Sequence, residues 1–151
     1  MITLEEFKKK HSDKSRLIGL DLGSKRIGVS ICDEKQLIAT PFKTIEKKTS
    51  MQLIEQLKSI INENNIKGII IGNPLNMDGS FGKSAQSVKD VSAYIEKNLD
   101  IPVCLWDERL STVGAFNLSS QLDINVSKRE KKIDENAAAF ILQGAIDFLN
   151  N

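Results

Sequence analysis

Histidine and cysteine are scarce in this chain. Its 151 residues include one histidine, His11, and two cysteines, Cys32 and Cys104. A lone histidine near the N-terminus argues against a Ser-His-Asp or Cys-His catalytic centre. Each cysteine stands singly in an apolar run, without zinc or redox spacing, so both are predicted to be buried, reduced thiols. Catalysis here must therefore rest on carboxylates, lysines or a bound metal.

The chain also lacks a long apolar segment and a strong net charge. No apolar run approaches the roughly 20 residues that span a bilayer. The first 16 residues lack the apolar centre of a signal peptide, so we expect a cytoplasmic protein with no membrane partner. The formal net charge is +1, which means that any contact with nucleic acid must come from a local basic patch.

The remaining composition is typical of a soluble globular domain, with 40% hydrophobic and 27% charged residues. The length suits one α/β domain with its own core. Residues 1–15 are predicted to form an N-terminal helical extension, in which Thr3 and Glu6 have the spacing of a capping box. Residues 16–151 are predicted to form the domain.

Apolar periodicity predicts strands and helices in the order βββαβαβαα after the N-terminal helix. Short continuous apolar runs indicate buried strands, and runs with a helical repeat indicate amphipathic helices. Residues 123–132 are polar and basic and are predicted to be a mobile loop. The predicted strands are 17–21, 27–32, 36–45, 67–72 and 101–106, and the predicted helices are 49–64, 83–98, 112–121 and 134–149.

These elements predict a five-stranded mixed sheet in the order 3-2-1-4-5, flanked by helices. Strand 2 joins strand 1 by a hairpin and is antiparallel, while helical crossovers make strands 1, 4 and 5 parallel. Pro41 places strand 3 at an edge, because proline cannot donate to a ladder. Ligands of such sheets bind beyond the carboxyl ends of strands where the winding reverses, here between strands 1 and 4.

Three carboxylates are predicted to meet at this rim of the sheet. Asp21 ends strand 1, Glu108 follows strand 5, and Asp134 opens the last helix. Taken singly, they have simpler interpretations as a turn residue, a surface partner of Arg109 and a helix N-cap. Asp21 is the hardest of the three to explain as a simple turn residue, since a carboxylate after four buried apolar residues is destabilising unless it is paired or binds a cation.

Carboxylate oxygens without histidine suit Mg²⁺ or Mn²⁺ better than zinc. Two such ions can activate a water and stabilise the leaving oxygen of a phosphodiester. The predicted cluster therefore favours a metal-dependent nuclease.

Basic residues flank the predicted site. They are candidates for contacts with a nucleic-acid backbone, although a run of charges is more often a solvated surface. The candidates are Lys25, Arg26, Arg109, Lys128, Arg129, Lys131 and Lys132.

Four segments of the chain resemble the YqgF/RuvX family. They are DLGSKRIGV at 21–29, GNPLNMDGS at 72–80, DERLST at 107–112, and KID at 132–134 with alanines at 137 and 138. The resemblance covers the chain from about residue 17 to its end. It implies a ribonuclease H-like fold, with Asp21, Glu108 and Asp134 as catalytic acids and metal ligands. Asn73 departs from the family pattern, which usually has leucine there, and Gly114 stands where an acidic residue often occurs.

The resemblance implies a nuclease that matures the 5′ end of precursor 16S ribosomal RNA, or a Holliday junction resolvase. Its partners would be structured RNA or branched DNA, with a pre-ribosomal particle as a further candidate, and the oligomeric state is left open between monomer and homodimer.

Two rival functions remain. An ATPase or sugar kinase also begins with Asp-x-Gly after a strand, but it needs two such domains. A binding module without catalysis gains little from clustered acids near phosphates.

Overall fold

The fold is built on a five-stranded mixed sheet, seen here in a computed structural model. The structure describes residues 1–11, 14–74, 83–107 and 126–151, except for the side chains of residues 83–84 and 126–133. The described elements are α1 (Leu4–Lys10), β1 (Arg16–Leu22), β2 (Arg26–Cys32), β3 (Ala39–Glu46), α2 (Ser50–Asn64), β4 (Ile66–Asn73), α3 (Lys83–Asn98), β5 (Val103–Asp107) and α4 (Val126–Leu149).

The strand order is β3-β2-β1-β4-β5, as the sequence predicts. β2 is antiparallel to β1 and β3, whereas β1, β4 and β5 run parallel. β3 lies at the edge and contains Pro41, which pairs with Ser30 beside a register shift in β2. The predicted fold class is therefore confirmed.

The start of β3 differs from the prediction, because residues 36–38 belong to a turn. The carboxylate of Asp33 accepts hydrogen bonds from the backbone N–H groups of Leu37 and Ile38 at 2.8 and 2.9 Å. Gln36 has a φ of 55°, in the left-handed region that turns favour. These bonds lower the pKa of Asp33. The apolar residues Leu37 and Ile38 are exposed, so their hydrophobicity wrongly suggested a strand.

The helices α2 and α3 cover one face of the sheet and confirm the predicted ranges closely. The hydroxyl of Thr49 caps α2 by accepting a hydrogen bond from the N–H of Gln52 at 3.1 Å. α2 ends at Asn65, which adopts a left-handed conformation with φ 55°. Bulky aliphatic residues of β1, β2, β4, α2 and α3 form the core beneath them, including Ile18, Leu20, Ile27, Leu53, Leu57, Ile69, Ile71 and Ile95.

The opposite face of the sheet is covered by α4 and α1. Their core is smaller and contains Leu4, Phe7, Leu17, Cys32, Ile70, Cys104, Ile141, Leu142, Ala145 and Ile146. Thr3 caps α1 by accepting a hydrogen bond from the N–H of Glu6 at 3.1 Å. Both cysteines are buried and free, as predicted. In the described part of the chain, no helix combines the length and apolarity needed to cross a membrane.

The last helix begins earlier than predicted. α4 begins at Val126, so the prediction of a mobile loop over 123–132 is wrong for 126–132, and Asp134 does not open the helix. This segment holds no glycine or proline, and lysine, arginine and glutamate favour helices. The charge of this segment therefore marks a helical turn and not a loop. The predicted helix 112–121, with Gly114, lies outside the described residues.

Candidate active site

Asp21 lies inside the sheet, next to the last residue of β1. It pairs with Gly28 of β2, and the pairing of Leu20 with Ile71 brings it beside Gly72 of β4. Side chains alternate along a strand. Leu20 faces the core under α2 and α3, so Asp21 points to the other face, beneath α4.

The environment of Asp21 disfavours its charge. Burial, and secondarily the negative charge of Asp134, raises the pKa of Asp21 from 3.8 to about 6. The two carboxylates are therefore close enough to repel each other, although 112 positions separate them in the chain. Placing a second acid beside a buried one destabilises the fold unless a cation offsets the repulsion.

Small residues of β1 and β2 allow α4 to approach the sheet closely enough for this contact. A Cβ atom on Gly28 would lie 2.0 Å from the carbonyl oxygen of Asp134, and one on Gly19 would lie 2.8 Å from Cβ of Leu142. Between them, the hydroxyl of Ser30 donates a hydrogen bond to the carbonyl of Ala138 at 2.7 Å. The backbone of α4 therefore rests directly on the β1–β2 hairpin.

Asp134 lies about two turns inside α4, above Gly28. Nε of Arg26 donates to Oδ2 of Asp134 at 2.8 Å, and both side chains are mostly shielded from solvent. Arg26 is the first residue of β2 and points to the same face of the sheet as Asp21 and Gly28. The ion pair fixes the Asp134 carboxylate at this end of the sheet.

Glu108 and Arg109 lie outside the described residues. β5 ends at Asp107, which pairs with Asn73 of β4. Trp106 pairs with Gly72 and packs under α4, with its ring 6.3 Å from that of Phe148 and in contact with Gly144. The tryptophan is therefore partly buried and packs against the core beneath α4.

The basic candidates are placed differently from one another. Lys25 is exposed at the tip of the β1–β2 hairpin, whereas Arg26 is half-buried against Asp134. Lys128, Arg129, Lys131 and Lys132 lie on the first turns of α4, with side chains outside the described set.

Sequence reasoning missed the residues that position the acids. Gly28 and Ser30 are buried and alternate along β2 with the bulky Ile27 and Val29. This small-large alternation was a signal that one face of the strand lies against a helix backbone. The ion pair of Arg26 with Asp134 had no such signal, because it joins residues that are distant in the chain.

The described residues contain no group of three histidine, cysteine or acidic side chains that could hold a metal. They do bring Asp21 and Asp134 together, and these carboxylates offer the hard oxygen ligands that Mg²⁺ and Mn²⁺ prefer. The repulsion between them is what a divalent cation would remove. The donor chemistry of this pair therefore fits such an ion.

Comparison with known proteins extends the likeness to nearly the whole chain. A relative from Pelagibacter ubique is named "Putative pre-16S rRNA nuclease" and is 74% identical over 151 residues, in an alignment that covers the whole of both chains. One from Nitrobacter hamburgensis with the same name is 43% identical over 91% of this chain and 84% of its own.

A solved structure of RuvC from Thermus thermophilus superposes with a TM-score of 0.55. The superposed region covers 90% of this chain and 97% of the RuvC chain. The sequence identity is 8%, so the likeness shows a shared fold. The sequence profile described as "RuvX: Holliday junction resolvase" matches residues 15–148. This chain therefore belongs to the RuvX family.

Proposed function

We propose that this chain is a metal-dependent nuclease that hydrolyses phosphodiester bonds in precursor 16S ribosomal RNA. The observation that carries the proposal is the approach of Asp134 to the partly buried Asp21 beneath α4, where burial and the charge of Asp134 disfavour the charge of Asp21. A fold under no functional constraint would replace one of the two by a neutral residue. The catalytic unit is residues 16–151, and residues 1–15 are an extension that packs against it.

Asp21 and Asp134, together with Glu108, are the residues that would hold Mg²⁺ or Mn²⁺. When bound, such ions supply an activated water and stabilisation of the leaving oxygen. Asp21 and Asp134 present the carboxylate oxygens on the α4 face of the sheet. Burial of Asp21 also limits the water that competes for this oxygen. Arg26 holds Asp134 in place through its Nε atom.

The exposed basic residues bind the backbone of the substrate in this proposal. Lys25 stands at the hairpin tip a few residues from Asp21, and the Lys128, Arg129, Lys131 and Lys132 group precedes Asp134 along α4. Arg109 follows Glu108 in the chain. Lysine and arginine contacts of this kind hold phosphates without reading sequence.

The names of the relatives favour RNA as the substrate, and the family description keeps a four-way DNA junction as the alternative. A resolvase would act as a two-fold symmetric dimer, since it must cut two strands. An enzyme that matures ribosomal RNA would work in the cytoplasm, on RNA alone or in a pre-ribosomal particle.

The test is a cleavage assay with purified wild type, Asp21→Asn and Glu108→Gln, each with Mg²⁺, Mn²⁺ or EDTA. The substrates are an RNA carrying the 5′ precursor of 16S ribosomal RNA and a four-way DNA junction. We expect wild type alone to cut the RNA, in metal only. The amide variants should keep the fold, as judged by circular dichroism.

The outcomes separate the alternatives. Cutting of the junction alone would replace RNA processing by resolvase activity. Binding of both substrates without cleavage would support the module that lacks catalysis. An active Asp21→Asn protein would exclude the arrangement of acids proposed here.

A further inference from the structure

A groove runs from the β1–β2 hairpin to the start of α2 and along α3, on the side of the sheet opposite to α4. Two adjoining cavities of about 280 and 110 Å³ form it, and both are lined by Lys47 and Val91. The smaller cavity reaches Leu22, Gly23 and Ser24, and the larger extends to Thr49 and Tyr94. We call it the Lys47 groove.

The Lys47 groove begins beside the candidate active site. Leu22 directly follows Asp21, so the two side chains lie on opposite faces of the same strand end. The N–H of Lys47 donates to the carbonyl of Lys25 at 2.9 Å, which ties the wall of the groove to the hairpin tip. The hairpin tip with Lys25 therefore connects the strand end that holds Asp21 to the wall of the groove.

The charge of the groove suits a phosphate backbone. Lys47 and Lys48 are exposed at its wall, and Lys25, which follows the lining residue Ser24 in the chain, is also exposed. Asp90 is the acidic residue among those lining it, and its carboxylate accepts a hydrogen bond from Gln86 at 3.0 Å. The first turn of α2, which borders the groove, contains no acidic residue. The positive charges therefore prevail along the path.

The far end of the groove offers an aromatic surface. Tyr94 on α3 is 39% exposed, above a floor that includes Leu53 and Val91. Exposed aromatic rings beside basic residues bind single strands, because unpaired bases stack on the ring while phosphates meet the charges. A duplex hides its base faces and would gain nothing from Tyr94.

We propose that the Lys47 groove binds a single-stranded segment of the polynucleotide adjoining the cleaved bond. Lys25, Lys47 and Lys48 contact successive phosphates, and Tyr94 stacks on a base. The role in guiding the strand to the acids rests on the proposed nuclease function. Binding itself does not depend on cleavage, so it is measured in EDTA.

The experiment measures the affinity of a fluorescein-labelled single-stranded RNA of about 12 nucleotides by anisotropy across a salt series. The charge variant is Lys47→Ala with Lys48→Ala, and its matched control is Lys35→Ala with Lys97→Ala, which removes two exposed lysines elsewhere. We expect the groove variant to bind at least about tenfold more weakly, with a salt slope lower by roughly 1.4. The control should stay within about twofold of wild type.

The aromatic part is tested by Tyr94→Ala against Tyr94→Phe. The alanine variant should bind about tenfold more weakly, and the phenylalanine variant like wild type, because stacking needs the ring and not the hydroxyl. Equal affinities for Tyr94→Ala and wild type would overturn the stacking contact. Equal affinities of the groove and control lysine variants would overturn the groove. If Tyr94→Ala weakened the binding of a labelled RNA duplex as much as that of the single strand, the preference for a single strand would be overturned.

The assay also separates this proposal from the nuclease function. A groove effect in a protein that never cuts RNA would support the groove and leave the nuclease proposal refuted. If wild type cuts RNA, and Lys47→Ala with Lys48→Ala and Tyr94→Ala both bind and cut RNA like wild type, the nuclease function is supported and the groove proposal is refuted.

Discussion

The two faces of the sheet are built in opposite ways. The face under α2 and α3 carries large β-branched and leucine side chains that are fully buried, such as Ile18, Ile27 and Ile69. The face under α4 carries glycine and serine at the corresponding positions of β1 and β2, and helix backbone fills their place. The first arrangement stabilises the fold through apolar burial. The second gives up part of that burial and sets the position of Asp134 relative to Asp21.

The largest expected effect comes from adding one methyl group to the α4 face. In Gly28→Ala, the new Cβ would clash with the carbonyl of Asp134 at 2.0 Å, so α4 must shift. We expect a loss of about 3 kcal/mol in the free energy of unfolding and at least about 100-fold in kcat/KM. Urea denaturation and the RNA cleavage assay measure the two quantities.

The adjacent residue on the other face gives the matched control. Ile27→Val should lose about 1 kcal/mol of stability and keep its cleavage rate, since Ile27 is fully buried in the apolar core under α2 and α3. If both variants lose cleavage in proportion to stability, the two faces do not differ in function and the comparison fails.

A second, smaller effect concerns stability against pH. The pKa of Asp21 is raised to about 6 in the folded protein, above its value in the unfolded chain. Well below pH 4 both states hold the proton, and Asp21 does not lower the stability. As pH rises from about 4 to 6, the unfolded state ionises first and stability falls, approaching a constant deficit above about pH 7.

Asp21→Asn removes this deficit. In EDTA, the stability gain of the variant over wild type should be small at pH 4 and should grow to on the order of 2 kcal/mol at pH 7. Urea denaturation at pH 4, 5, 6 and 7 measures the difference, with Glu34→Gln as an exposed acid for comparison. A difference that does not change over this range would show that Asp21 is not held in a destabilising environment.

The smallest effect is expected at the ion pair. Arg26→Met removes the Nε donor to Asp134 but keeps an unbranched side chain. We expect kcat to fall about tenfold, because the carboxylate loses its orientation. Mg²⁺ binding, followed by calorimetry, should not weaken, since a competing cation has been removed. A parallel loss of metal affinity and kcat would instead assign Arg26 to building the metal site itself.

Much of the architecture could be predicted because its signals are local. The alternation in β2, the buried run of β4 and the capping residue Thr49 each depend on neighbours in the chain. The strand order then followed from two topological constraints, a hairpin and right-handed crossovers. Where local signals conflicted, prediction failed, as at the exposed Leu37 and Ile38 and at the charged start of α4.

The sequence by itself determined the sheet, its order and the rim at which Asp21 lies, because hydrophobic periodicity and strand polarity are encoded residue by residue. Only the tertiary structure decided that α4 lies on Gly19, Gly28 and Ser30, that Asp134 raises the pKa of Asp21, and that Arg26 pairs with Asp134. These contacts join residues more than 100 positions apart. Their distances depend on the packing of one helix against the sheet, which no local pattern specifies.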